Sequence, residues 1–150
     1  MYHTEASAVI NLPPDKVFAV VSDVNRFTEW QDGLVKANWT SAGTPGVGST
    51  YLFVTQFAGT RMDLPGEVIT WNPPNGWTWK SNGGPFPVQG SYRLEQAGAG
   101  TRITMFSDSE PKGWMNAMRP LLKWMGERTY KKSLTRLKTL ILDLRKHHTQ

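Results

Sequence analysis

Val88-Gln89-Gly90-Ser91-Tyr92-Arg93-Leu94-Glu95-Gln96, Ala97-Gly98-Ala99-Gly100 and Thr101-Arg102-Ile103-Thr104-Met105-Phe106-Ser107-Asp108 form the stretch that decides the fold. Val88, Gly90, Tyr92 and Leu94 alternate with Gln89, Ser91, Arg93 and Glu95. Ile103, Met105 and Ser107 alternate with Arg102 and Thr104. A period of two places successive side chains on opposite faces of a strand. Between the runs, two glycines within four small residues make a tight turn. The stretch is therefore a β-hairpin with one dry and one wet face.

The same grammar extends upstream. Asn72-Pro73-Pro74-Asn75-Gly76 and Asn82-Gly83-Gly84-Pro85 are turns, and Ser41 to Gly48 and Ala58-Gly59 are breaks. The runs between them predict strands over 35–40, 48–57, 61–71, 77–81, 88–96 and 101–108, in an antiparallel meander. Trp77 and Trp79 alternate with Thr78 and Lys80, so both are expected to point inward. A further strand is expected over 3–11. Pro13-Pro14-Asp15 then opens a helix with Val17, Phe18, Val20 and Val21 on its apolar side. A second short helix is expected over 25–30, capped by Asn25, with Phe27 and Trp30 on one side.

Downstream of the hairpin the period changes. Leu134, Leu137, Ile141 and Leu144 recur at steps of three and four, which predicts a long helix over 113–144. Traced backwards, the stripe passes Tyr130 or Thr129, Gly126 or Met125, Leu122 and Met118. Pro120 should kink this helix or mark where its straight part begins. Residues 146–150 read as a frayed tail. With 150 residues and neither repeat nor linker, the chain is expected to form a single domain, 1–150.

Composition excludes several classes. There is no cysteine, so disulfides, thiol catalysis and thiolate metal sites are excluded. The three histidines, His3, His147 and His148, all lie near the ends, so no internal Ser-His-Asp triad is available. Adjacent His147 and His148 cannot share a helix face, and no metal or other cofactor is expected. Gly46-Val47-Gly48 and Gly98-Ala99-Gly100 lack a Walker lysine and a following helix, so they read as turns. Glu5 stands where a secretory signal would carry a basic start and an apolar block. The N-terminus therefore reads as mature sequence and the expected location is cytoplasmic, with no membrane-spanning segment. The net charge of +5 is uneven: residues 112–147 hold ten basic and two acidic residues. This stretch reads as the solvated outer face of a packed helix, with no nucleic-acid partner expected, because no aromatic stacking platform accompanies the charge.

The order strand, two short helices, six-strand meander and long C-terminal helix resembles the helix-grip superfamily. That superfamily groups START and birch-pollen-allergen-like (SRPBCC) proteins with bacterial polyketide cyclase/dehydrase-type members. The resemblance rests on Ile10-Asn11-Leu12-Pro13-Pro14-Asp15-Lys16-Val17-Phe18, Asp23-Val24-Asn25-Arg26-Phe27-Thr28-Glu29-Trp30, Gly48-Ser49, Glu67 to Pro74, Gly100 to Thr104, and Leu134 to Lys138. It implies an α+β fold, a curved seven-stranded antiparallel sheet gripping the long helix, and an apolar cavity between them. Members bind or transform hydrophobic small molecules. These are structural signatures, and they carry no catalytic residue across.

The expected lining is Trp30, Trp79, Tyr92, Met105, Met118, Leu122, Met125 and Thr129. Methionine adapts to irregular space, which suits a permissive pocket. Gly90, Gly126 and Ser133 are small residues near the inward stripe and suggest unfilled volume. Asp63 and Glu67 share a strand face, where on the cavity side one of them could act as acid or base; Arg61 on the same face favours the wet side. Three readings follow. The first is a carrier of an apolar, aromatic or lipid-like ligand. The second is a cyclase/dehydrase-type enzyme, with Tyr92 as the best internal proton donor and Gln56 or Asp63 next. The third is a co-chaperone-like interaction module. A monomer or homodimer is expected.

Overall fold

The structure, a computed structural model, describes residues 2–57, 59–81, 88–109 and 119–148; the side chains of Tyr2, Phe57, Thr60, Arg119, Leu122 and residues 144–148 lie outside the description. Strand β1 (Tyr2–Ile10) is followed by helix α1 (Pro14–Val21) and a 3₁₀ helix (Val24–Glu29). Then come β2 (Leu34–Trp39), β3 (Thr50–Phe57), β4 (Thr60–Asn72), β5 (Gly76–Ser81), β6 (Val88–Ala97), β7 (Gly100–Ser109) and the long helix α2 (Arg119–His148). The strands form one curled antiparallel sheet in the order β1-β7-β6-β5-β4-β3-β2. Consecutive strands of the meander pair antiparallel, and β1 closes the far edge against β7, Tyr2 opposite Ser109 and Ile10 opposite Thr101; the expected turn at 82–85 and the break at Ala58 lie outside the described residues. The α+β helix-grip class expected from sequence is the observed one.

Alternation decides which face each strand buries. In β6, Gly90, Tyr92 and Leu94 are buried while Gln89, Arg93 and Glu95 are exposed. In β4, Leu64, Gly66 and Val68 turn inward while Arg61 and Asp63 are exposed. A bulge between Val68 and Thr70 then shifts the register, so that Trp71, opposite Trp77, faces the same side as Val68. Trp71 meets Trp77 at 5.6 Å and Phe18 at 5.5 Å between ring centroids.

The two short helices plug one end of the sheet. Pro13 caps α1 with extended backbone, and Asp15 sits in its positive first turn. Val17, Phe18 and Val21 are buried, and the Trp77 Nε1–H donates to the Val21 carbonyl at 2.8 Å. The second helix is 3₁₀ in form and starts one residue before the predicted one. Asn25 does not cap it; its Oδ1 accepts the Trp39 N–H at 2.9 Å and holds β2 in place.

Helix α2 lays Leu134, Leu137 and Ile141 into the core, all essentially inaccessible, as the three-four spacing predicts. Further back the observed inward row is Gly126 and Tyr130, with Met125 and Thr129 half-buried on the flank. A Cβ on Gly126 would approach Thr4 Cγ2 to 3.0 Å, so glycine is what lets α2 lie close on β1. Pro120 falls in the first described turn. Residues 113–118, where the predicted helix begins, lie outside the described residues, as do residues 149 and 150 of the expected tail.

Leu137→Ala should cost about 2–5 kcal/mol, read by urea denaturation, because it opens a cavity in packed surroundings. A loss below about half a kcal/mol would take Leu137 out of the core.

At the sheet edge, the protonated His3 ring donates from both nitrogens, Nδ1 to Asp108 at 2.7 Å and Nε2 to Glu5 at 3.1 Å. These hydrogen bonds, Asp108 first, raise the imidazole above its ordinary value. A raised folded-state pKa stabilises the fold fully below about pH 6.5 and loses that contribution as pH climbs through the folded value. His3→Gln should remove this pH-dependent component, small at an exposed site, from denaturation curves between pH 5 and 8. Identical curve shapes for the two proteins would show that the His3 clamp does not form.

Candidate ligand site on the concave face

The inner face of the sheet carries an aromatic layer whose centre is Phe27. Its ring lies 5.2 Å from Trp30, 5.8 Å from Tyr92, 5.9 Å from Phe53 and 6.2 Å from Trp77. Two large rings of this face do not stand up towards the helix. Tyr51 pairs with Gly66 across β3 and β4, and Trp79 pairs with Gly90 across β5 and β6. A Cβ on Gly66 would lie 2.2 Å from the Tyr51 hydroxyl, and one on Gly90 2.2 Å from Trp79 Cζ2. Both rings thus lie flat across the neighbouring strand, on ground that only glycine leaves free.

Burial divides the space between sheet and helix. Beneath the C-terminal half of α2, Trp77, Leu94 and Ile103 are sealed with Leu134, Leu137 and Ile141 in one cluster. Beneath its N-terminal half, Gln31, Trp79, Ser107, Met125, Thr129 and Tyr130 are only half-buried, around the buried Tyr92 and Met105. The Tyr130 hydroxyl donates to Ser107 Oγ at 2.8 Å, linking helix to β7 there. The boundary is held by residues 27–32. The buried Ser133 hydroxyl accepts the Asp32 N–H at 2.9 Å and donates to the Thr129 carbonyl at 2.8 Å. Arg136 reaches the Thr28 carbonyl at 3.4 Å.

Tyr92 sits at the floor of the half-buried region. Gln31 Nε2 donates to its hydroxyl at 2.5 Å, and the Trp79 side chain also hydrogen-bonds to it. Burial, with Tyr130 and Tyr51 nearby, pushes the phenol well above the ordinary tyrosine value despite these donors. Tyr92 therefore stays protonated across the physiological range, a neutral group whose oxygen is already solvated by protein. Burial likewise raises Tyr51, whose hydroxyl, like Trp30 Nε1, has no hydrogen-bond partner among the described residues. Each such buried group costs about 1–3 kcal/mol.

The sequence-predicted lining distributes unevenly over this geometry. Trp79, Tyr92 and Met105 share the inner sheet face, and Trp30 stands 6.2 Å from Tyr92 as a fully buried wall behind it. Met125 and Thr129 lie on the half-buried flank of α2. Met118 and the Leu122 side chain lie outside the described residues. The small residues mark contacts instead of empty volume: Gly90 is covered by Trp79, Gly126 abuts Thr4, and Ser133 is hydrogen-bonded. Gln56 and Asp63 are exposed, so neither is an internal proton donor. Alternation alone places Asp63 outside; its inclusion as a donor went against its own strand parity. Among the described residues no group of three His, Asp or Glu side chains could hold a metal ion, and no helix is long and apolar enough to cross a membrane.

A feature the sequence reading missed lies at the C-terminal end of α2. A groove of about 720 Å³ runs between α1, the 3₁₀ helix and the C-terminal half of α2. Its apolar lining includes Leu12, Val20 and Leu140, with Lys16 and Arg26 at its edges. Leu140 follows the buried stripe by three residues from Leu137, and that offset was the available signal.

A curled sheet gripping one helix over an aromatic inner face defines a START-like, ligand-binding or cyclase-type fold. The chain belongs to the family described as polyketide cyclase/dehydrase and lipid transport, whose model matches residues 1–141. Its fold is similar to that of TTHA0849 from Thermus thermophilus, with 18% identity, a TM-score of 0.82, and 95% of this chain and 98% of that one covered. It is also similar to a START superfamily protein from Mycobacterium smegmatis, at 12% identity, TM-score 0.78, and 96% and 99% coverage. The Zhui aromatase/cyclase from Streptomyces sp. R1128 matches at 15% identity, TM-score 0.73, and 93% and 92% coverage. Comparison with curated protein sequences gives no significant match.

Gly90→Ala should displace the Trp79 indole from Tyr92 and destabilise the fold by about 1–3 kcal/mol through overpacking. Urea denaturation and a shift in tryptophan emission measure this. Wild-type behaviour in both would mean the ring does not rest on Gly90.

Proposed function

We propose that the protein binds a hydrophobic, aromatic or lipid-like small molecule between the sheet and the N-terminal half of α2. The observation that carries this is the pair of rings laid flat on Gly66 and Gly90. Flat rings keep the inner face apolar while leaving height between sheet and helix. The half-buried side chains gather at that same end. Trp79, Tyr92, Met105, Met125 and Thr129 are the proposed contacts, with Met118 and Leu122 from the sequence reading and Trp30 as backing. Family membership supports a ligand of this kind.

A second reading, an enzyme of cyclase/dehydrase type on such a ligand, draws support from Tyr92. Its oxygen accepts from Gln31, and burial keeps its proton in place, which are the properties of a weak general acid.

The test uses N-phenyl-1-naphthylamine, a neutral fluorescent probe. It should bind and quench tryptophan emission by energy transfer. Thr129→Trp, at a half-buried position facing the proposed space, should weaken binding at least tenfold with little change in melting temperature. Unchanged probe binding in that variant moves the ligand elsewhere, the outer groove first. Tyr92→Phe separates the two readings. It should cost a carrier about 1 kcal/mol of affinity if one hydrogen bond is lost, and an enzyme using the phenol ~10²–10⁴ in rate.

A further inference from the structure

The outer face of α2 combines charge with grease in a way the charge count alone did not reveal. With 3.6 residues per turn, Leu121, Trp124, Arg128, Lys131, Lys132 and Thr135 fall on one side of the helix, opposite Leu134, Leu137 and Ile141. Leu121 is 47% exposed and Trp124 58%, and they stand one turn apart. The Arg128 guanidinium stacks over the Trp124 ring at 5.4 Å from its centroid. Lys131 and Lys132 are exposed one turn further on, and a shallow groove of about 670 Å³ runs between these residues and Arg136, with the acids Asp32 and Glu127 also in its lining and Asp32 3.9 Å from Arg136.

A second copy of the chain is a poor occupant for this face, because the basic residues would meet their own kind. Duplex DNA would use the charges and leave Leu121 and Trp124 in water. A surface that presents anionic groups above an apolar layer uses all of them. Indole rings settle at the boundary between headgroups and acyl chains, leucine reaches below it, and lysines and arginines hold their charge at the headgroup level. We propose that this face of α2, around Leu121, Trp124, Arg128, Lys131 and Lys132, docks the protein reversibly onto an anionic lipid bilayer. The helix lies in the plane of the membrane surface. This inference is independent of the ligand reading, since none of these residues touches the concave face.

The full chain is mixed with phosphatidylcholine vesicles, with and without about 30% phosphatidylglycerol, and sedimented. Binding is expected only to the anionic vesicles and should weaken steeply with salt. Lys131→Glu with Lys132→Glu should reduce binding by well over tenfold, since each basic side chain near an anionic surface contributes about fivefold. Trp124→Ser with Leu121→Ser should reduce it about tenfold while leaving the melting temperature and N-phenyl-1-naphthylamine binding unchanged, because both positions are exposed. Three results overturn the proposal. One is absence of binding to anionic vesicles at low salt. Another is equal binding to uncharged vesicles. The third is vesicle binding that the serine pair does not alter, or that is matched by duplex DNA, which would reduce the face to a plain basic surface.

Discussion

Phe27 is the contact on which the architecture hangs. One ring of the 3₁₀ helix, fully buried, meets Trp30 just beyond that helix and residues of β3, β5 and β6. A sheet curled around a helix has a geometric problem at its open end: the strands diverge there and nothing in the meander covers them. Residues 14–32 solve it by inserting a compact plug of aromatic and β-branched side chains. The plug then ties itself to both layers, through Trp77 to Val21 on one side and Asp32 to Ser133 on the other. Aromatic pairs of this kind add about 0.5–1.5 kcal/mol each beyond their buried area. The plug's main effect is to hold sheet and helix in fixed register.

That register makes the two ends of the grip unlike each other. Where Leu134, Leu137 and Ile141 descend, the interior is closed and can be read as ordinary core. Where Tyr130 and Met125 replace them, the helix offers a hydroxyl and a thioether in place of branched aliphatic side chains. The C-terminal half of the helix anchors the fold, and its N-terminal half borders the proposed ligand space. Its outer face adds a third chemistry, and the three are separable because each occupies a different side or length of the same rod.

The architecture was open to reading from the chain because it rests on local periodicities. The alternation of Val88 to Leu94 and the spacing of Leu134 to Ile141 are short-range patterns, and burial follows them directly. What sequence could not resolve was decided by tertiary partners. Asn25 looks like a cap but is taken by Trp39 of β2, a residue fourteen positions away. Gly126 looks like spare room but is spent on the approach to Thr4. The helix phase between Gly126 and Met125 was open because the stripe can be traced back through either position, and contact with Thr4 and Ser107 decides it. The outer groove escaped notice because its walls come from three separate elements.

The rings that rest on glycine have a consequence for how such a chamber diversifies. On each strand pair one position is frozen: any side chain at Gly66 or Gly90 collides with its neighbour's ring. The other position, Tyr51 or Trp79, carries the ring whose size would set the depth of the proposed ligand space above it. Descendants of this chain that trim either ring would change what that space could hold. Capacity is inherited as a ring size.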